Sequence, residues 1–351
     1  MNTRPRILTG DTPTGRLHLG HYVGSLENRI RLQRDHECYL LIANVHAFTT
    51  RAEQPDEIRR DTIEIVRDSL SAGIDPELST FVVQSEIPAI AELTFLLAML
   101  IPFTRVMRNP TLKAEITMKD LGDHYSFGFP LYAVGQCADI LAFRAHLVPV
   151  GEDQAAHLEM TREVARRFSH LYCGVSTTTP DADYERAGGV FPIPQTLVGR
   201  VARLRGIDGV EKMSKSRGNA IQLSDTTDEI RKKLARLHTG RQSVTEPGDP
   251  ENTLFQYARA FMTDQDHVNE LADRYARGDN IGDAAIKSEV ATAIDALIAP
   301  MRERRAAFTD ARVLELLREH TRRANVIAEE TLARVKAAMR LDFGPRSLGF
   351  G

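Results

Sequence analysis

Short apolar runs alternate with amphipathic helical stretches through the first half of this chain, and that alternation restricts the fold more than any other feature. Arg6-Ile7-Leu8-Thr9 is a β-like run ended by Gly10, and a Thr/Pro/Gly turn from Asp11 to Gly15 leads into a helical stretch from His18 to Arg34. Cys38 to Val45 reads as a second buried strand and Thr80 to Gln84 as a third. Between them, Pro55 to Ala72 sets Ile58, Ile63, Val66 and Leu70 on one helical face. The pattern continues through Leu147-Val148-Pro149-Val150 and a helix from Gln154 to Phe168. Strands separated by helix-length crossovers predict an α/β chain with a doubly wound, Rossmann-like parallel sheet covered on both faces.

After Ser224 the pattern becomes nearly all helical: Asp228 to Leu237, Thr253 to Met262, Val268 to Arg277, Ala284 to Thr309 and Val313 to Met339. A chain of 351 residues has room for two domains, and the boundary is expected near Ser216 to Ser224. That divides residues 1–222 from a smaller helical domain over 223–342, with 343–351 as a frayed tail. Residues between Pro102 and Pro130, rich in Gly, Asp and Lys, read as a mobile connecting insertion.

Lys plus Arg number 45 against 48 acidic residues, so the net charge of -3 supplies no global field for a polyanion, and any RNA contact needs a local patch. Arg302 to Arg340 is one such stretch, but its interleaved glutamates also suit a plain solvated helix face. Cys38, Cys137 and Cys173 are far apart in sequence and form no C-x-x-C pair, which predicts reduced thiols, no disulfide framework and no structural metal. No apolar run approaches the ~20 residues that span a bilayer, so no membrane partner is expected and the compartment expected is the cytoplasm.

Two strings carry chemistry. Thr12-Pro13-Thr14-Gly15-Arg16-Leu17-His18-Leu19-Gly20-His21 lies where the first strand hands over to a helix, the place where an open parallel sheet binds ligands. His18 and His21, three apart on a first helical turn, face the same way beside free backbone N–H groups, and Gly20 leaves room for a flat ring or a phosphate. The arrangement suits a triphosphate, with both imidazoles able to donate to charge developing at phosphorus. A bland helix start with two incidental histidines fits the same letters, and small nucleotidyltransferases carry them too. The second string, Lys212-Met213-Ser214-Lys215-Ser216, puts two lysines three apart with hydroxyls between them near the domain boundary. It is either an exposed linker or a cationic clip for a leaving pyrophosphate, brought onto a nucleotide by closure.

Together and in this order, the strings resemble the two signatures of the class I aminoacyl-tRNA synthetases, and the resemblance to the bacterial tryptophanyl family runs over nearly the whole chain. It is carried by Gly10 to Leu26, Asn44-Val45-His46-Ala47, Gly73-Ile74-Asp75-Pro76, Val83-Gln84-Ser85-Glu86-Ile87-Pro88, Ala138-Asp139-Ile140-Leu141 and Val148-Pro149-Val150-Gly151-Glu152-Asp153-Gln154. The resemblance implies activation of L-tryptophan with Mg-ATP and transfer to tRNA(Trp), in a homodimer paired through Glu86 to Pro130. The helical domain would read the anticodon, its last helices packing back on the sheet, with no DNA partner.

By the same resemblance, His18, His21, Lys212 and Lys215 carry catalysis. Thr12, Pro13, Thr14, Gly20, Gly151, Glu152, Asp153, Met213, Ser214 and Ser216 join them in holding ATP. Thr12-Pro13-Thr14 stands where the family has Gln-Pro-Ser, and both signature histidines here follow the general class pattern. Asp139 would accept the indole N–H, Tyr132 and Gln154 would hold the α-ammonium group, and Leu8, Gly10, His46 and Val150 would wall the ring. Tyr132, Gln136 and Asp139 share one helical face, a Tyr-x-x-x-Gln-x-x-Asp pattern that is also similar to tyrosyl enzymes. A tyrosyl-type enzyme and an auxiliary paralogue with a task other than tRNA charging are the alternatives.

Overall fold

The computed structural model describes residues 4–122, 124–150, 155–198, 204–210, 212–214, 217–241 and 243–343. Among them, five parallel strands form one sheet in the order β3-β2-β1-β4-β5. They are β1 (Arg6–Asp11), β2 (Glu37–Ile42), β3 (Ser79–Val83), β4 (Leu147–Val150) and β5 (Gln195–Val198). The chain runs outward from β1 to β3 and then returns to place β4 on the other side of β1, so the direction of winding reverses between β1 and β4. At such a reversal the flanking loops part and leave a crevice beyond the strands' carboxyl ends.

The pleat explains why nearly every strand residue is apolar. Cys38, Leu40 and Ile42 of β2 enter one core, and Tyr39 and Leu41 enter the other. Ile7 and Leu8 of β1, and Phe81 and Val82 of β3, divide the same way. Successive side chains point to opposite faces, so a sheet covered on both sides needs continuous hydrophobic runs.

The first core lies under helix Pro55–Ala72 and continues into helices Thr227–Ala235, Thr253–Phe261, Gln265–Arg277 and Asp283–Arg305, through Ile230, Phe255, Tyr275 and Ile294. Pro at the first turn with Asp56 and Glu57 beside it starts Pro55–Ala72, and Gly73 at φ +120° stops it. The second core lies under helices Pro88–Ala98, Gly128–Ala142 and Ala155–Tyr172.

The last helix, Asp310–Ala338, crosses the open edge of the sheet and joins the two cores. Val313 and Leu317 belong to the first, while Ala328, Leu332 and Val335 belong to the second. At the crossing, His320 Nδ1 accepts the Phe81 N–H at 3.2 Å and Thr321 Oγ1 accepts the Val83 N–H at 3.3 Å. Edge donors of β3 that would otherwise invite another strand are thereby used.

Three local expectations are corrected. The second strand ends at Ile42, and Asn44-Val45-His46-Ala47 opens a helix, Asn44–Arg51, because the Gln84 side chain accepts its first N–H groups. The insertion after Pro102 contains helices Phe103–Met107 and Pro110–Met118. Buried Asn109 caps the second of them, and Leu112 is inside the core. The stretch after His18 is three pieces, Leu19–His21, a π-wound Tyr22–Leu26 and Glu27–Leu32. Helix Pro88–Ala98 and strand β5 were not expected from periodicity. Cys38 and Cys137 are buried free thiols and Cys173 is half-buried, as expected of reduced cysteines.

Candidate active site

The first signature follows β1, at the winding reversal. Its loop is tied down on all sides. Arg51 Nη1 donates to the Pro13 carbonyl at 2.6 Å, Arg16 pairs with Glu64 at 2.8 Å, and the Leu17 N–H donates to Asp68 Oδ2 at 2.7 Å. Below it, Arg29 grips Asp11, the last residue of β1, with both terminal guanidinium nitrogens, Nη1 and Nη2. Thr12 and Thr14 are exposed while Pro13 is buried, so the loop anchors itself through proline and leaves its hydroxyl-bearing residues uncovered.

His18 is buried and His21 half-buried, with ring centroids 3.7 Å apart, and His21 Nδ1 accepts the His18 N–H at 3.2 Å. A side chain on Gly20 would meet the His18 ring at 3.0 Å and Met213 at 3.6 Å. Gly20 is therefore the point where the two signatures touch. Backbone pairing extends this contact: the Leu19 N–H donates to the Ile221 carbonyl at 2.9 Å, and Leu223 N–H to the Leu17 carbonyl at 3.0 Å. Residues far apart in the chain are thus brought together beside one glycine.

Exposed Lys212, buried Met213 and half-buried Ser214 sit in a loop organised by Asn219. The Asn219 amide donates to Asp208 Oδ2 at 2.6 Å and to the Lys212 carbonyl at 3.3 Å, while its Oδ1 accepts the Ser214 N–H at 2.7 Å. Lys215 and Ser216 lie outside the described residues, as do Gly151, Glu152, Asp153 and Gln154. Val150 ends β4, the strand that pairs with β1.

The second cluster lies between helices Gly128–Ala142, Asn44–Arg51 and Ala155–Tyr172. Asp139 is 2% exposed and both its oxygens accept from Gln84 Nε2, at 2.8 and 3.0 Å. Burial pushes its carboxyl up to about 7, against the lowering effect of Gln84. Gln84 Nε2 also lies 2.9 Å from His46 Nε2, and His46 Nδ1 is 3.7 Å from Asp139. Burial, with His157 nearby, pushes the His46 ring down to about 4, so it is neutral. Gly135 allows this approach, since a side chain there would come within 2.8 Å of His46 Nε2.

Half-buried Tyr132 donates its hydroxyl to Glu115 at 2.9 Å and lies 3.2 Å from His157 Nε2; His157 in turn meets Asn109 at 3.2 Å. Tyr132 and Gln136 are half-buried on the helix that buries Asp139, with the Tyr132 ring among His46, Phe129 and His157. Leu8 is buried on the same side of the sheet, and Gly10 is exposed at the carboxyl end of β1. Sequence reasoning missed Gln84, Glu115, His157, Gly135 and Asn219, whose partners are all remote or depend on a fold contact. For Gln84 alone a local signal existed, a polar residue directly after an apolar strand.

A family model described as class I tRNA synthetases (W and Y) matches residues 1–299. The chain is 42% identical to the tryptophan–tRNA ligase of Treponema pallidum, over 97% of this chain and 98% of that one. It is 41% identical to the enzyme of the same name from Clostridium longisporum, over 96% and 97% respectively. Its fold is similar to that of the tryptophanyl-tRNA synthetase of Campylobacter jejuni, solved with ADP and tryptophan. The TM-score is 0.79 at 29% identity, covering 95% of this chain and 99% of that one.

Proposed function

This chain belongs to the class I tRNA synthetases for tryptophan and tyrosine and ligates tryptophan to transfer RNA with ATP, and from that premise we propose how its residues divide the work. The tryptophan carboxylate attacks the α-phosphorus of Mg-ATP in line, the bond from that phosphorus to the bridging oxygen breaks, and pyrophosphate leaves. The terminal ribose hydroxyl of tRNA(Trp) then attacks the carbonyl of the adenylate and releases AMP. No side-chain nucleophile is needed, so catalysis is positioning and charge stabilisation.

The contact of Met213 with the Gly20–His18 turn carries this reading, because it sets the two signatures against one crevice. His18, His21, Lys212 and Lys215 act on the phosphates, and Thr12, Pro13, Thr14, Gly20, Met213, Ser214 and Ser216 shape the ATP cradle. Gly151, Glu152 and Asp153 take adenosine and its ribose. Leu8, Gly10, His46, Tyr132, Gln136, Asp139, Val150 and Gln154 take tryptophan.

Residues 223–342 form the anticodon-reading domain of an enzyme working in the cytoplasm. Two subunits pair through the region from Glu86 to Pro130, where Phe95, Met99, Phe103, Met118 and Phe127 are each more than 60% exposed. Exchange of labelled pyrophosphate into ATP, run with each amino acid in turn, tests the reading. Strong exchange with tryptophan and weak exchange with tyrosine is expected. Lys215→Ala should slow it ~10²-fold with little change in tryptophan affinity. A tyrosine preference overturns the side-chain assignment, and a Lys215→Ala rate within twofold of the parent removes the clip.

A further inference from the structure

We propose that Gln84 is a positioning residue that sets tryptophan apart from tyrosine, by committing both of its amide protons to Asp139 and His46 so that it offers the ligand no donor of its own. The inference rests on the assignment of Asp139 to the side-chain pocket. An amide has two donors and one accepting oxygen, and here all are committed. Gln84 Oε1 accepts the N–H groups of Val45 and His46 at 3.1 and 3.3 Å, at the start of helix Asn44–Arg51. This fixes which way round the amide sits. Its nitrogen must then face Asp139 and His46, and its contacts at 2.8, 3.0 and 2.9 Å occupy both protons.

The consequence reaches the histidine. If His46 Nε2 accepts from the amide, the ring proton is on Nδ1, which lies 3.7 Å from Asp139 Oδ2. The floor therefore holds two amide protons committed within the cluster, with the imidazole proton 3.7 Å from the carboxylate. From Gln84 and Asp139, what remains for a ligand is carboxylate lone pairs.

An indole N–H only donates, and it matches that floor. A phenol hydroxyl donates as well, but its oxygen also needs donors, and with no amide proton left to meet it the oxygen is buried short of a partner. Burial raises the Asp139 carboxyl to about 7, and the Gln84 amide acts against that push in favour of the ionised form. Other titratable groups facing this cluster are His46 from Asn44–Arg51, Tyr132 and the buried Cys137 from the same helix as Asp139, and His157 from Ala155–Tyr172. Burial, with His157 nearby, pushes the His46 ring down to about 4, so His46 supplies no cation at neutral pH.

The test is pyrophosphate exchange with tryptophan and with tyrosine at pH 6 to 9, in the full-length parent, Gln84→Met and Gln84→Glu. Gln84→Glu keeps an oxygen on the Val45 and His46 N–H groups, so it preserves the helix start if the methionine variant does not fold. In both variants the tryptophan-to-tyrosine ratio of kcat/KM should fall at least ~10-fold. The tryptophan loss should appear mainly in KM, and the pH below which KM rises should move upward, because Asp139 loses its stabilising donor. A folded variant with the parent's ratio and pH profile overturns the role of Gln84. A parent that prefers tyrosine overturns instead the pocket assignment beneath it, whatever the variants do.

Discussion

Gly206 has no side chain because Asn219 occupies the place where one would be. A Cβ built there would lie 2.2 Å from Asn219 Nδ2 and 2.8 Å from its Cβ. Asn219 is 3% exposed and holds both the Lys212 carbonyl and the Ser214 N–H, so it has nowhere to retreat without releasing the lysine loop. Gly206→Ala is therefore expected to slow pyrophosphate exchange by one to two orders of magnitude, roughly the loss of one positioned charge, while tryptophan binding by calorimetry stays near the parent's. Gly24→Ala is the control: nothing lies within 4 Å of a Cβ there, and removing a glycine from a helical turn should be neutral or stabilising by up to ~1 kcal/mol. Equal exchange rates in the two variants would show that Asn219 does not organise the clip. At this scale the sequence was legible where chemistry is local. His18, Gly20, His21 and Lys212 sit in short strings whose spacing alone suggests phosphate chemistry. Asn219 and Asp68 were not legible, and Gln84 showed only as a polar residue after an apolar strand, because each is given its meaning by a backbone group or side chain that only the fold brings near.

Among the elements, the strands were readable because a sheet covered on both faces demands unbroken apolar runs, and β1 to β4 have them. Strand β5 was not, since Gln195 and Thr196 are exposed at the outer edge and break the pattern. The last helix was readable as amphipathic, yet nothing periodic marks His320 and Thr321 as the residues that cover an edge strand. His320 must be neutral to accept the Phe81 N–H, and burial pushes its pKa from 6.5 down to about 4. The unfolded chain takes up that proton as pH falls below 6.5, and the folded chain does so only near 4. The contribution is thus fully present above pH 6.5 and fades as pH falls from 6.5 towards 4. His320→Ala should be about 2 kcal/mol less stable than the parent at pH 7.5 in urea unfolding, from the lost packing and the orphaned N–H. The gap should narrow by on the order of 1 kcal/mol or more at pH 5. Buried carboxylates titrate in both proteins and cancel in the difference. A gap independent of pH would mean that the ring is not held neutral.

Across the whole molecule, the turn between the last two helices is fastened to the helix that carries the first signature's supports. Arg304 Nε donates to the Ser71 carbonyl at 2.7 Å, Arg67 Nε to the Phe308 carbonyl at 2.7 Å, and Arg305 pairs with both Glu64 and Asp68. Asp68 is 2% exposed and spends one oxygen on Arg305 and the other on the Leu17 N–H, the residue before His18. The helical half of the chain thereby reaches the first signature's loop through a buried carboxylate, beside the Arg305–Glu64–Arg16 chain of ion pairs. Burial pushes Asp68 up to about 6, and Arg305 is the largest influence holding it down, so removing the guanidinium strands a charge out of water. Breaking one side of such a pair costs about 3–5 kcal/mol, far more than the pair contributes relative to a neutral replacement. Arg305→Ala should therefore lower stability by about 3 kcal/mol or more and slow exchange as the Leu17 anchor loosens. Asp68→Asn keeps an oxygen for the Leu17 N–H and removes the charge that needs pairing. Combined with Arg305→Ala, it should recover at least half of the lost stability and much of the rate. Urea unfolding and exchange kinetics on the two single variants and the double variant measure that coupling. Strictly additive losses would show that Arg305 acts through its surface contacts and not through Asp68. Recovery of stability without recovery of rate would place the loop's support in Arg16 and Glu64 instead.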